Sequence, residues 1–405
     1  MNFGFSDGQK ELQQTVREFL HDRAPLQACR RLLEAGEGWD PGLWQETAAL
    51  GWLGTVVPEQ YGGAGLGYLE LAVIAEEIGR ALAPMPFASS VYLATEAILR
   101  GGSPDQRQRF LPRLVSGEII GTLALAERPG HPDPSDTGTV LERGRLTGTK
   151  IAVVDGAVAA LGIVSARGEH GTTLVLVDLD GPGVRRQAQA SIDPTHSSAS
   201  FVFEDAPAEP LAGVNEGWSF LEGLLDRAAV LLAFEQVGGA SRALELTKEF
   251  TLSRYAFGRP VASFQALKHR MVDVYVALEL ARSNCLWGAW ALSEETTEID
   301  VAACSARISA SRAFDLAAAE MLQMHGGVGF TWEHDGHLFY RRAKHDALVL
   351  GATHAWAEKL VQRLIRRAAV QLPGDGDTSP DQRSDRPSRS SQVARLTHGL
   401  AATAR

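Results

Sequence analysis

Apolar positions at helical spacing open the chain. Leu12, Val16, Phe19 and Leu20 share one helical face, behind a capping-box pattern at Ser6 and Gln9. Leu71, Ile74, Ile78 and Leu82 predict a helix over 69–82, entered from the Pro/Gly loop PEQYGGAGLG at 58–67. Two more helical stretches, 89–100 and 104–116, are joined by Gly101-Gly102. Near Gly121 the pattern changes. RLTGTKIAVV (145–154), LGIVSAR (161–167), TTLVLVDL (172–179) and SASFVFED (198–205) predict strands, with turns at GEHG, DGPG and DAPAEP. The helical pattern returns at Gly217 and predicts helices over 217–253, 264–292, 298–324 and 347–370. From Gln371 to Gln392 the chain turns to Pro, Gly, Asp, Ser and Arg, a composition too polar to bury a core.

The expected class is therefore α+β. A helical N-terminal domain (1–120) precedes a middle β barrel or sandwich (121–213), a C-terminal four-helix bundle (214–370) and a mostly disordered tail (371–405). Hydrophobic residues make up 45% of 405, enough for a sizeable interior. The net charge is 39 − 49 = −10, with no basic stripe in the folded part, which argues against nucleic acid as a partner. Cys29, Cys285 and Cys304 are too few and too scattered for a disulfide framework or a zinc site. The N-terminus lacks an apolar signal segment, and the apolar run Ala228–Phe234 is too short to insert in a membrane. A soluble, cytoplasmic protein is expected.

Two stretches carry candidate chemistry. QMHGGVGFTWEHDGHLFYRRAK (323–344) sets Gly326, Gly327 and Gly329 after a helix. A dinucleotide fingerprint needs a strand there, so a helix-ending turn is favoured, although a Gly-Gly pair also lets a ligand approach the backbone. SRYAFGRPVASFQALKHR (253–270) gathers Arg254, Arg259, Lys268, His269 and Arg270 about one turn. It is either a solvated helix end or a place where Arg254 pairs with an anionic cofactor. His334 and His337, beside Glu333 and Asp335, read as surface polar residues rather than metal ligands.

Together these two blocks, with PEQYGGAG ahead of Glu76 and Glu77, resemble the flavin-dependent acyl-CoA dehydrogenase family over about residues 1–370. The resemblance implies FAD between the β domain and the C-terminal helices. It implies a carboxylate base that takes the α-proton of an acyl-CoA, hydride transfer to the flavin, and a 2-enoyl-CoA product. Electron-transfer flavoprotein is the implied acceptor. It further implies a tetramer in which each FAD is also gripped by the neighbouring subunit. The positions matching that grip are Arg254, Phe257, Gln323, Gly326 and Gly327, and Gln265 matches the family glutamine of the F-Q pair.

The departures are as informative. Leu350, before Gly351, stands at one family base position, and Ala228, ten residues before Gly238, stands at the other. Asp226 is a candidate substitute, but it lies about 200° from Ala228 around a helix and suits an ion pair with a nearby arginine. The family's T-E-P-G segment reads Ala126-Glu127-Arg128-Pro129-Gly130. Its W-I-T at the flavin face reads Ala152-Val153-Val154, which puts a methyl where a hydroxyl would meet the flavin. Positions serving the chain's own cofactor are altered and those lent to a neighbour are kept. That resembles the non-catalytic partner of heteromeric, α2β2 acyl-CoA dehydrogenases of bacterial sterol catabolism. The alternatives are a self-sufficient flavoenzyme with a relocated base, and a flavin-free acyl-CoA-binding or structural subunit.

Overall fold

The computed structural model describes residues 4–130, 137–211 and 217–371. Met1–Arg363 forms one compact unit and Leu364–Arg405 a second. Most of the expected tail, 372–405, and the expected boundary at 213/214 lie outside the described residues.

Six helices come first: α1 (Asp7–Arg23), α2 (Leu26–Ala35), α3 (Pro41–Ala49), α4 (Tyr68–Ala81), α5 (Glu96–Gly101) and α6 (Pro104–Val115). Their starts follow from local chemistry. Ser6 and Gln9 close a reciprocal capping box on α1, and Ser103 and Gln106 do so on α6, with Pro104 in the first turn. The helix expected over 89–100 is divided, with π-helical Ala88–Thr95 running into α5. Ser89 to Ile98 are buried all round, so no amphipathic stripe enforces one helical period there.

Seven strands follow: β1 (Gly121–Ala124), β2 (Val140–Glu142), β3 (Arg145–Val154), β4 (Leu161–Gly168), β5 (Gly171–Asp178), β6 (Val184–Gln189) and β7 (Ser198–Pro210). Their order is β1-β4-β2-β3-β7-β5, with β6 on β7, and β5 also pairs β4. That last pairing closes the sheet on itself. DAPAEP, expected as a turn, instead continues β7. Ala208, Glu209 and Pro210 pair with Val177, Leu176 and Val175 of β5, and this ladder outweighs the local turn composition.

The C-terminal region holds α7 (Gly217–Ser253), the hairpin β8 (Tyr255–Ala256) and β9 (Arg259–Pro260), then α8 (Gln265–Ser293), α9 (Ile299–Met324), α10 (Gly336–Leu348) and α11 (Thr353–Gln371). α7 crosses α4 at two glycines. A Cβ on Gly238 would lie 1.8 Å from the Glu76 carbonyl oxygen, and one on Gly79 would lie 1.9 Å from that of Glu235. α10 was not expected. Its inward face mixes Leu338, Phe339 and Ala343 with buried Arg342 and Asp346, which breaks the apolar period. No helix among the described residues is long and apolar enough to cross a membrane.

Candidate functional site

The two glycine- and arginine-bearing stretches meet at one end of the bundle. Arg254 leaves α7 with its amide still bonded to the Phe250 carbonyl. His325, which caps α9, stacks on the Phe250 ring with centroids 4.1 Å apart. Phe257 and Gly258 form the two-residue turn of the β8–β9 hairpin, both at positive φ (53° and 77°). A bulky side chain in the left-handed region is strained, and here it is turned out to water, with Phe257 95% exposed. Arg254, Gln265, Gln323, Gly326 and Gly327 are exposed as well.

The three glycines have different causes. Gly326 (φ 62°) turns the chain out of α9, and Gly329 is required by packing, since its Cβ would meet the Leu322 carbonyl oxygen at 2.3 Å. Around Gly326 and Gly327 nothing lies within 4 Å of where a Cβ would be, so that backbone is open. Tyr255, Val328, Phe330 and Trp332 extend the exposed apolar surface, as do Val272, Tyr275, Val276 and Leu280 on α8. A patch of this kind marks an interaction face. Cations, aromatic rings and open backbone amides together fit an anionic, ring-bearing cofactor held from outside the chain.

The expected base positions carry no proton acceptor. Ala228 is buried in α7. Leu350 lies just beyond α10 at φ 64°, packed against the core, and its carbonyl accepts from Trp356 Nε1 at 3.0 Å. The turn before it is clamped by Arg307, which is fully buried and donates to the carbonyls of Asp346 and Val349 and to Gln236 Oε1. Burial lowers that guanidinium to about 10. Asp226 is buried and engaged by α11. Arg363 donates to both its carboxylate oxygens, at 3.0 and 2.6 Å, and Lys359 to Oδ1 at 3.1 Å. Burial raises the pKa of Asp226, and the two cations offset this incompletely.

The β-domain positions are also committed internally. Val153 points into the barrel and is buried. Val154 is half-buried, and its carbonyl accepts from Thr122 Oγ1 at 2.6 Å. Ala152 sits in an irregularity of β3 at φ 50°. Glu127, of the T-E-P-G-like segment, accepts from the Gly138 and Thr139 amides (2.7 and 3.0 Å) and from the buried Lys150 ammonium (2.7 Å). Burial pushes the Glu127 pKa up, but Lys150 and the Thr139 amide hold it below the usual range.

A polar junction that the sequence did not reveal joins the barrel to α10. Asp155, next to Val154, accepts from Ser89 Oγ at 2.7 Å and lies 3.5 Å from His196. The His196 ring stacks on His345 of α10, with centroids 4.8 Å apart and planes at 12°. Arg342 pairs with Asp193 at 2.5 Å and donates to Thr195 Oγ1 and the Leu82 carbonyl, while Arg341 donates to the Ile192 carbonyl. Arg342 holds the Asp193 carboxyl well below the usual range despite burial. Glu235 of α7 is buried nearby, and burial together with the Asp346 charge pushes it up to about 8. Beside this junction Ala152 stays exposed and Val154 half-buried on β3. Elsewhere, His334 accepts from the Gly336 amide and His337 stacks on Trp332. Among the described residues no three potential metal ligands come together.

Residues 6–118 match the acyl-CoA dehydrogenase N-terminal domain family, and residues 215–365 match the acyl-CoA dehydrogenase C-terminal domain family. The chain is 35% identical over 340 residues to acyl-CoA dehydrogenase IpdE2 of Mycobacterium tuberculosis, covering 84% of this chain and 92% of that one. Among solved structures it resembles a variant of the Tcur3481-Tcur3483 steroid ACAD, with 33% identity, a TM-score of 0.81, and 90% and 99% of the two chains covered. It also resembles the ChsE4-ChsE5 complex from Mycobacterium tuberculosis, with 28% identity, a TM-score of 0.80, and 92% and 100% covered.

Proposed function

The chain belongs to the acyl-CoA dehydrogenase family, and on that premise we propose that it is one subunit of a hetero-oligomer. The assembly dehydrogenates an acyl-CoA thioester to a 2-enoyl-CoA, and a homologous partner supplies the base. The observation that carries this reading is the pairing of Leu350 and Ala228 with an exposed, intact set at Arg254, Phe257, Gln323, Gly326 and Gly327. An alkyl side chain cannot take a proton, and Asp226 is held by two cations.

Bound FAD would supply the hydride acceptor. This chain would hold it from the side, with Arg254 as partner for the diphosphate, the open Gly326-Gly327 backbone for an anion, and Phe257 against an apolar face. The naming of a steroid ACAD and of a two-protein complex among the similar structures supports a polycyclic acyl-CoA as substrate and a heteromeric state. Electron-transfer flavoprotein is the proposed acceptor, in the cytoplasm.

The test is to purify the chain alone and co-expressed with a base-bearing homologue, then assay acyl-CoA oxidation. Turnover is expected only from the co-expressed complex. A homotetramer of this chain alone that holds one FAD per subunit and oxidises acyl-CoA would sink the reading.

A further inference from the structure

The open glycine turn runs on into residues 331–335, which belong to no helix or strand, and this stretch is gripped by α2. Arg30 donates through Nη1 to the Trp332 carbonyl and through Nη2 to the Glu333 carbonyl at 3.0 Å. Its Nη2 and Nε also reach Asp335 Oδ1, at 2.6 and 3.2 Å. One turn along α2, Glu34 accepts from Trp332 Nε1 at 3.2 Å. Exposed ion pairs usually contribute little. Here the Arg30 side chain is only 18% exposed, and besides pairing with Asp335 it satisfies two carbonyls of a segment that has no regular backbone ladder. A planar guanidinium fork can serve all three residues at once, which a lysine ammonium cannot.

From the gripped segment, contacts lead to both halves of the surface at the end of α7 and α9. His334 packs on His325, with ring centroids 4.2 Å apart, and His325 stacks on Phe250. The Phe250 carbonyl accepts from the Arg254 amide at 2.8 Å, and His325 directly precedes Gly326. Nothing lies within 4 Å of a Cβ position on Gly326 or Gly327, so the flanks of that turn must hold it.

We propose that Arg30 is a positioning residue for cofactor binding. From the N-terminal helices it braces 331–335, and through the His334, His325 and Phe250 rings it fixes where Arg254 and the Gly326-Gly327 backbone meet the neighbour's FAD. The inference rests on the proposed function above. Without the brace the turn would have to be ordered when FAD binds, and ordering a loop on binding weakens affinity.

The experiment measures how fast FAD leaves the co-purified holo-complex on dilution, followed by the rise of free-flavin fluorescence. Four forms of this chain are compared with wild type: Arg30→Ala, Arg30→Lys, Arg254→Ala, and Arg23→Ala, which removes the two-pronged Arg23–Glu46 pair of α1. Arg30→Ala should release FAD about tenfold faster, equivalent to about 1.4 kcal/mol. Arg23→Ala should match wild type, and the two alanine variants should unfold at similar temperatures. Arg30→Lys should fall between wild type and Arg30→Ala, since an ammonium can keep Asp335 but not both carbonyls. Wild-type release from Arg30→Ala, with faster release from Arg254→Ala, would overturn the brace and leave the lending surface standing. Wild-type release from both would overturn the lending surface and the brace with it. Should Arg30→Ala fail to fold, Arg30→Lys decides, and release from it at the wild-type rate would overturn the proposal.

Discussion

Arg342 is a guanidinium removed from water on α10, and Asp193 is the carboxylate that makes this tolerable. Removing one partner of such a pair leaves an uncompensated buried charge, which costs about 3–5 kcal/mol. Asp193→Ala should therefore lower the unfolding free energy by that amount, read as a lower denaturant midpoint with little change in slope. A loss below about 1 kcal/mol would mean the pair is solvated after all. Glu235 gives a test of opposite sign. Its folded pKa, about 8, lies above the ordinary value of 4.5, so the folded state keeps a proton that the unfolded chain releases. The stability from this group is complete below the lower value and is lost as pH rises through the higher one. His196, whose pKa burial lowers, and Asp193 act at lower pH. Between about pH 5 and 8, wild type should lose thermal stability relative to Glu235→Gln. Parallel stability curves for the two would refute it. None of these residues announced itself in the sequence. Asp193 and Arg342 are 149 positions apart, and a lone Asp or His carries no periodic signal. Arg254 and the glycines were legible because each sits in a short, compositionally unusual stretch.

At the scale of elements, strong periods were readable nearly to the residue. β3 runs over 145–154 as its alternation predicts, and α9 begins one residue after the expected 298. α10 was illegible for the reason that makes it important: its inward face carries charge. β7 outran its expected end because tertiary pairing overrode a Pro- and Asp-rich turn signal. The α4–α7 crossing depends on glycines whose close approach no local pattern reveals. Gly238→Ala would drive a methyl into the Glu76 carbonyl and should cost about 1–3 kcal/mol or more by overpacking. Gly326→Ala meets no neighbour and should cost only the left-handed strain of an L-residue, about 1–2 kcal/mol. Thermal unfolding of the two variants should rank them in that order, and a reversed ranking would show that the crossing can relax.

For the whole molecule, the division of labour is spatial. The surface at the end of α7 and α9 is open and carries arginine and aromatic side chains, whereas Ala228 is buried, Leu350 packs on the core and Asp226 is held by Arg363 and Lys359. On the proposed function, this chain contributes through the open surface and not through a base of its own. The most direct measurement is acyl-CoA turnover of the co-purified complex with either Arg254→Ala or Asp226→Asn in this chain. Loss of turnover in the Arg254 variant, with the Asp226 variant as active as wild type, is the expected result. Loss of turnover with Asp226→Asn, while flavin stays bound and Arg254→Ala remains active, would contradict it.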